Sequence, residues 1–120
     1  MKQILIIMSI FSTIFGARSP QNDSIKRLTP SEFKNHIENK KVQLVDVRTA
    51  KEFKSENIPG SINIDFYSER FTFEFNKLDK SKAVYVYCRS GSRSHHSSKK
   101  LQAMGFTEIY DLKGGILKYY

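Results

Sequence analysis

Short apolar runs alternate with amphipathic ones along this chain. Val42 to Val47, Ser61 to Ile64, Ala83 to Tyr87 and Glu108 to Leu112 are brief and rich in β-branched or aromatic side chains. Runs of that length and make-up predict strands. Helical segments lie between them. Thr29-Pro30-Ser31-Glu32 is a helix start: Thr29 caps, Pro30 suits the first helical position, and Glu32 completes a capping box. Phe33, His36 and Ile37 then share one face, and His36 reads as a partly buried helix residue. Ala50 to Ser55 has room for one or two turns, and Ile58-Pro59-Gly60 is a turn. Asp65 to Leu78, with Tyr67 and four phenylalanines, contains a helix. Ser94 to Met104 predicts a longer one, with Gly105 ending it. Gly114-Gly115 is a tight turn, and Ile116 to Tyr120 begins a last helix. Strands that alternate with helices predict an α/β class and a parallel sheet covered on both faces.

The N-terminal segment has a different pattern. Lys2 precedes a largely apolar stretch from Ile4 to Phe15, with the small residues Gly16 and Ala17 after it. That stretch falls short of the ~20 residues a membrane-spanning helix needs. It is expected to be a secretory signal peptide over 1–17, followed by a polar linker over 18–25 and one domain over 26–120. The expected location is periplasmic or secreted, with no stable membrane insertion after cleavage. An uncleaved anchor or a buried N-terminal helix is the competing expectation.

Composition adds two constraints. The formal charge is +8. Because the lysines are scattered and no run interleaves them with aromatics, a nucleic-acid partner is not expected. The charge fits attraction of small anions or simple solubility. The chain is expected to be a monomer. It has one cysteine, so it forms no internal disulfide.

That cysteine, Cys88, follows the strand Ala83 to Tyr87 and opens the polar loop Arg89-Ser90-Gly91-Ser92-Arg93-Ser94, which leads into a helix. In parallel α/β sheets ligands bind beyond the carboxyl ends of the strands. Backbone N–H groups of such a loop converge on one point and hold an anion. Gly91 permits a positive φ, Ser90, Ser92 and Ser94 add hydroxyl donors, and Arg89 and Arg93 add positive charge. These features favour thiolate, the nucleophilic form. A buried, inert cysteine filling a strand end is the bland alternative.

Several pieces together give the chain a resemblance to the single-domain rhodaneses, and in particular to their exported members. These are Asp46-Val47-Arg48, Glu52-Phe53, Ile58 to Ile64, Cys88 to Ser94, Gly105-Phe106 and Leu112 to Ile116, which occur in the family's order. The resemblance implies a three-layer α/β/α fold with a five-stranded parallel sheet. It also implies sulfurtransferase chemistry through a persulfide on Cys88, with no metal or organic cofactor. The implied partners are a small anionic sulfur donor such as thiosulfate and an acceptor that is a thiol, cyanide or a thioredoxin-like protein. Carried onto this chain, the backbone of Arg89 to Ser94 is the cradle, and Arg89 and Arg93 hold an anionic donor. Asp46 and Arg48 are expected to brace the sheet edge, with Arg48 pairing Asp46 or Glu52, rather than to act on substrate. Tyr119 stands where the family has tryptophan. Glu56-Asn57 precedes the Ile-Pro-Gly element in place of a histidine or glycine pair. His95 and His96 are not typical of the family and read as surface residues of a helix's first turn.

Two other functions compete. Cysteine phosphatases and arsenate reductases use a similar cradle, but need an arginine six residues after the cysteine to clamp an oxyanion. Here that position is Ser94, and the arginine falls one residue early, at Arg93. A non-catalytic rhodanese-like binding module is the other rival, opposed by the retained Cys88 and its polar loop.

Overall fold

The computed structural model describes residues 24–120. The expected signal peptide and nearly all of the expected linker lie outside the described residues. Five strands form one parallel sheet: β1 (Ile25–Leu28), β2 (Gln43–Asp46), β3 (Ile62–Asn63), β4 (Val84–Tyr87) and β5 (Ile109–Leu112). Their order across the sheet is β1-β5-β4-β2-β3. The four strands read from the pattern are present, slightly shorter than expected. The fifth, β1, is not among the expected strands and begins at Ile25, the last residue of the expected linker. It is an edge strand paired only with β5, and its two central residues, Lys26 and Arg27, are exposed cations. Such charges guard a free sheet edge and hide the strand's pattern.

The helices are α1 (Pro30–Ile37), α2 (Ala50–Ser55), α3 (Phe71–Phe75), α4 (Ser92–Ala103) and α5 (Ile116–Tyr119). The predicted capping box of α1 is present: Glu32 N–H donates to Thr29 Oγ1 at 3.2 Å, and Thr29 N–H to Glu32 Oε1 at 2.9 Å. Thr49 and Glu52 make a second box at α2. His36 is half-buried and lies 3.0 Å from the Tyr85 hydroxyl.

Alternation along the strands divides the interior into two cores. Val45, Val47, Val84, Val86, Cys88 and Ile109 face α3 and α4, where Phe71, Phe75 and Leu101 cover them. Leu44, Tyr85, Tyr87 and Leu112 face α1 and α5, which supply Phe33, Ile37 and Ile116. Helices on both faces complete the three-layer α/β/α fold.

Chain connections run outward from β2 to β3, but in the opposite direction from β4 to β5. The sheet therefore changes direction between β2 and β4. The carboxyl ends of those two strands are where this class of fold opens a crevice. Arg48 follows one of them, and Cys88 follows the other.

Candidate active site

Cys88 leaves β4 with its side chain on the α4 side of the sheet, 1% exposed. The chain passes through Arg89 and Ser90 and turns at Gly91, which has φ +109°. An added β-carbon at Gly91 would meet nothing closer than 3.5 Å, so the backbone angle, not space, calls for glycine. Gly91 is the N-cap of α4, and its N–H donates to Cys88 Sγ at 3.0 Å. The first N–H groups of a helix have no intrahelical acceptor and carry the positive end of its dipole. In α4 they belong to Ser92, Arg93 and Ser94, with no acidic residue in the turn. A sulfur anion at Cys88 thus meets the Gly91 N–H and the positive end of the α4 dipole.

The loop is held from outside by α5. Ile116 N–H donates to the Cys88 carbonyl at 2.9 Å, and Leu117 N–H to the Arg89 carbonyl at 3.2 Å. Gly115 makes this approach possible. A β-carbon there would stand 2.2 Å from the Arg89 carbonyl oxygen.

Consecutive residues of α4 face opposite ways. Arg93 turns outward and forms a two-pronged pair with Glu52, Nη1 to Oε1 at 2.8 Å and Nη2 to Oε2 at 3.1 Å. The Arg93 bonds lead the effects that take the Glu52 carboxyl down to about 2. Ser94 turns inward, fully buried. Its Oγ lies 3.5 Å from Cys88 Sγ, placed to accept from the thiol, and donates to Asp111 Oδ1 at 2.5 Å.

The expected site residues thus separate into groups. Cys88, Gly91 and Ser94 come together. Arg89, Ser90 and Ser92 are exposed at the surface of the loop. Arg89 lines a hollow of about 330 Å³ with Arg48, Lys51, Glu52 and Leu117. A larger hollow, about 670 Å³, lies between α1, α5 and the Ile58-Pro59-Gly60 turn and includes no residue of the Cys88 loop. Size therefore does not identify the site here; the chemistry does.

Asp46 and Arg48 form an ion pair, one of the two pairings expected for Arg48. Arg48 Nε lies 3.0 Å from both Asp46 oxygens, Nη2 reaches Oδ2 at 2.7 Å, and Nη2 also donates to the Glu56 carbonyl. Burial would lower the Arg48 guanidinium, but its bonds and charge interaction with Asp46 outweigh that and hold it above its ordinary value. Arg48 pairs with Asp46; Glu52 serves Arg93. His96 is exposed, whereas His95 is half-buried. Burial, followed by the charges of Lys99 and Arg27, holds the His95 imidazole below its usual range.

Three residues of this neighbourhood escaped the sequence reading as members of the site: Glu52, Asp111 and Arg27. Glu52 is expected only as an alternative partner for Arg48, and its actual partner, Arg93, is 41 positions away. Asp111 is one polar residue inside an apolar strand. Arg27 lies on the unrecognised β1.

A three-layer α/β/α fold with a cysteine loop at the switch point of its sheet defines a class, and comparison with known proteins places the chain within it. The model of the rhodanese-like domain matches residues 29–120, and the chain belongs to that family. Uncharacterized protein YqhL of Bacillus subtilis is 35% identical over 117 residues, covering 97% of this chain and 90% of that protein. The crystal structure of a rhodanese-like domain protein from Staphylococcus aureus superposes with a TM-score of 0.70 at 31% identity, covering 79% of this chain and 91% of that one. The adenylyltransferase and sulfurtransferase UBA4 of Meyerozyma guilliermondii is 30% identical across 92% of this chain. The chain spans only 28% of UBA4, and 34% of a tRNA uridine(34) hydroxylase that it also matches.

Proposed function

We propose that this protein is a sulfurtransferase that carries a sulfane sulfur on Cys88. The observation that supports this best is the position of Sγ: 3.0 Å from the Gly91 N–H, beneath the acid-free first turn of α4. In the first half-reaction the Cys88 thiolate attacks the outer sulfur of a donor such as thiosulfate. The S–S bond of the donor breaks, sulfite leaves with the electron pair, and a Cys88 persulfide remains. In the second, a thiol, cyanide or a thioredoxin-like protein takes the outer sulfur and regenerates the thiolate. No carboxylate base is needed at the attacked sulfur, in keeping with Asp46 being occupied by Arg48.

The same geometry weighs against an oxyanion clamp of the phosphatase kind. Arg93 is engaged by Glu52, and its side chain is only 18% exposed. UBA4, whose name includes sulfurtransferase, is a relative over most of this chain, which also favours sulfur transfer. Intact mass after incubation with thiosulfate tests the reading. The wild-type chain gains one sulfur, and Cys88→Ser gains none. Equal gain by both would remove Cys88 from the chemistry.

A further inference from the structure

Asp111 is an acid in an apolar place. It faces the same side of the sheet as Ile109, pairs in register with Val86, and is 0% exposed. Its Oδ1 accepts the Ser94 hydroxyl at 2.5 Å, a length typical of a bond to an ionised carboxylate. Its Oδ2 has no hydrogen-bond partner. The cation facing it is Arg27 of β1, with Nε 3.7 Å away and its side chain half exposed. On the other side of the Ser94 hydroxyl, at 3.5 Å, is Cys88 Sγ. One hydroxyl therefore stands between a buried carboxyl and the chain's only thiol. Burial is the main influence on Asp111 and pushes it up to about 6, against the Ser94 bond and the charge of Arg27.

We propose that Cys88 and Asp111 share one proton through the Ser94 hydroxyl, with Asp111 as the internal acceptor of the thiol proton. The Cys88 S–H bond breaks as that proton joins Ser94 Oγ. The original Ser94 hydrogen passes to Asp111 Oδ1. The products are a thiolate and a neutral carboxylic acid. No electrons are transferred between groups, and the pair keeps a net charge of one throughout. Other charges face the pair from two elements: Arg27 from β1, and Arg93 from α4, whose guanidinium feels the charge of Cys88. His95, two residues after Arg93 on α4, interacts with Arg27 and Lys99. Asp111 is a positioning residue, since it acts through Ser94; Ser94 touches the reacting sulfur.

The role in turnover rests on the persulfide reading, but the test uses no sulfur donor. Alkylation of the full chain by iodoacetamide is followed as a function of pH. The wild-type rate climbs in two steps, as coupled groups do. Asp111→Asn, which keeps the shape and an acceptor for Ser94, climbs in one. A single wild-type step, or two steps that survive in Asp111→Asn, overturns the proposal. A second readout needs no folded variant. With the aspartate carboxyl carbons labelled, the Asp111 signal titrates in two steps before Cys88 is alkylated and in one step afterwards. An unchanged titration overturns the shared proton. A chain that shows the lost step yet gains no sulfur from thiosulfate refutes the sulfurtransferase reading and leaves the shared proton intact. The opposite result does the reverse.

Discussion

Two carboxyl groups flank the Cys88 loop and are driven in opposite directions. Glu52 meets Arg93 at the outer wall and is pulled down to about 2. Asp111 meets only Ser94 and the half-exposed Arg27 at the floor and is pushed up to about 6. The residues that engage them are neighbours on α4, one facing out and one facing in. The contrast shows that charge pairing fixes the outer wall of the loop, whereas the floor stores a titratable group beside the thiol. A wall needs a permanent charge. A floor that manages a proton needs a group poised near the working pH.

The harshest way to break this arrangement is to disturb the loop that the wall and the floor flank. Gly115→Ala places a β-carbon within 2.2 Å of the Arg89 carbonyl oxygen at φ +67°. The loop, α5 or both must move, and the expected loss is upwards of about 3 kcal/mol, with loss of sulfur transfer. Urea unfolding and the thiosulfate mass assay read the two effects.

Asp111 comes next. Its carboxyl is raised in the folded chain, so its contribution to stability is fully present below the unfolded value near 4 and is lost as pH rises through about 6. The wild type loses about 3 kcal/mol across that window relative to Asp111→Asn. Urea midpoints of both chains between pH 4 and 7 check this; parallel curves would show that the floor is not titrating.

Glu52→Gln gives the smallest effect, because both members of its pair retain some solvent contact. About 1 kcal/mol is expected at pH 7. The sign is opposite to that of Asp111. Glu52 is lowered, so its contribution is present above the unfolded value near 4.5 and disappears as pH falls towards about 2. The difference between wild type and Glu52→Gln should also shrink in high salt. A variant difference that grows on acidification would contradict the assignment of the outer wall.

The sequence made the frame of this molecule readable and left the walls hidden. The capping box at Thr29 and Glu32 and the strands around Leu44 and Val86 follow local rules of pattern and hydrogen bonding. So does the turn at Gly91, since a curled loop calls for a residue that tolerates positive φ. The hidden parts depend on distant neighbours. Nothing local ties Glu52 to Arg93. Asp111 sits in a strand covered on both faces, where alternation no longer separates inside from outside. The inner face of α4 is built largely from Ser94, Ser97 and Ser98, with Leu101 as its one large apolar residue. Hydrophobic periodicity therefore could not show which side of that helix meets the sheet. The strand β1 escaped because exposed Lys26 and Arg27 fill half of its four positions.

The central claim is that the floor and walls exist to hold sulfur on Cys88. The most direct measurement is the intact mass of the wild-type chain and of Cys88→Ser after incubation with thiosulfate, followed by addition of cyanide. The account predicts a gain of one sulfur on the wild type alone, removed by cyanide. A wild type that gains nothing, or a variant that gains as much, would contradict it.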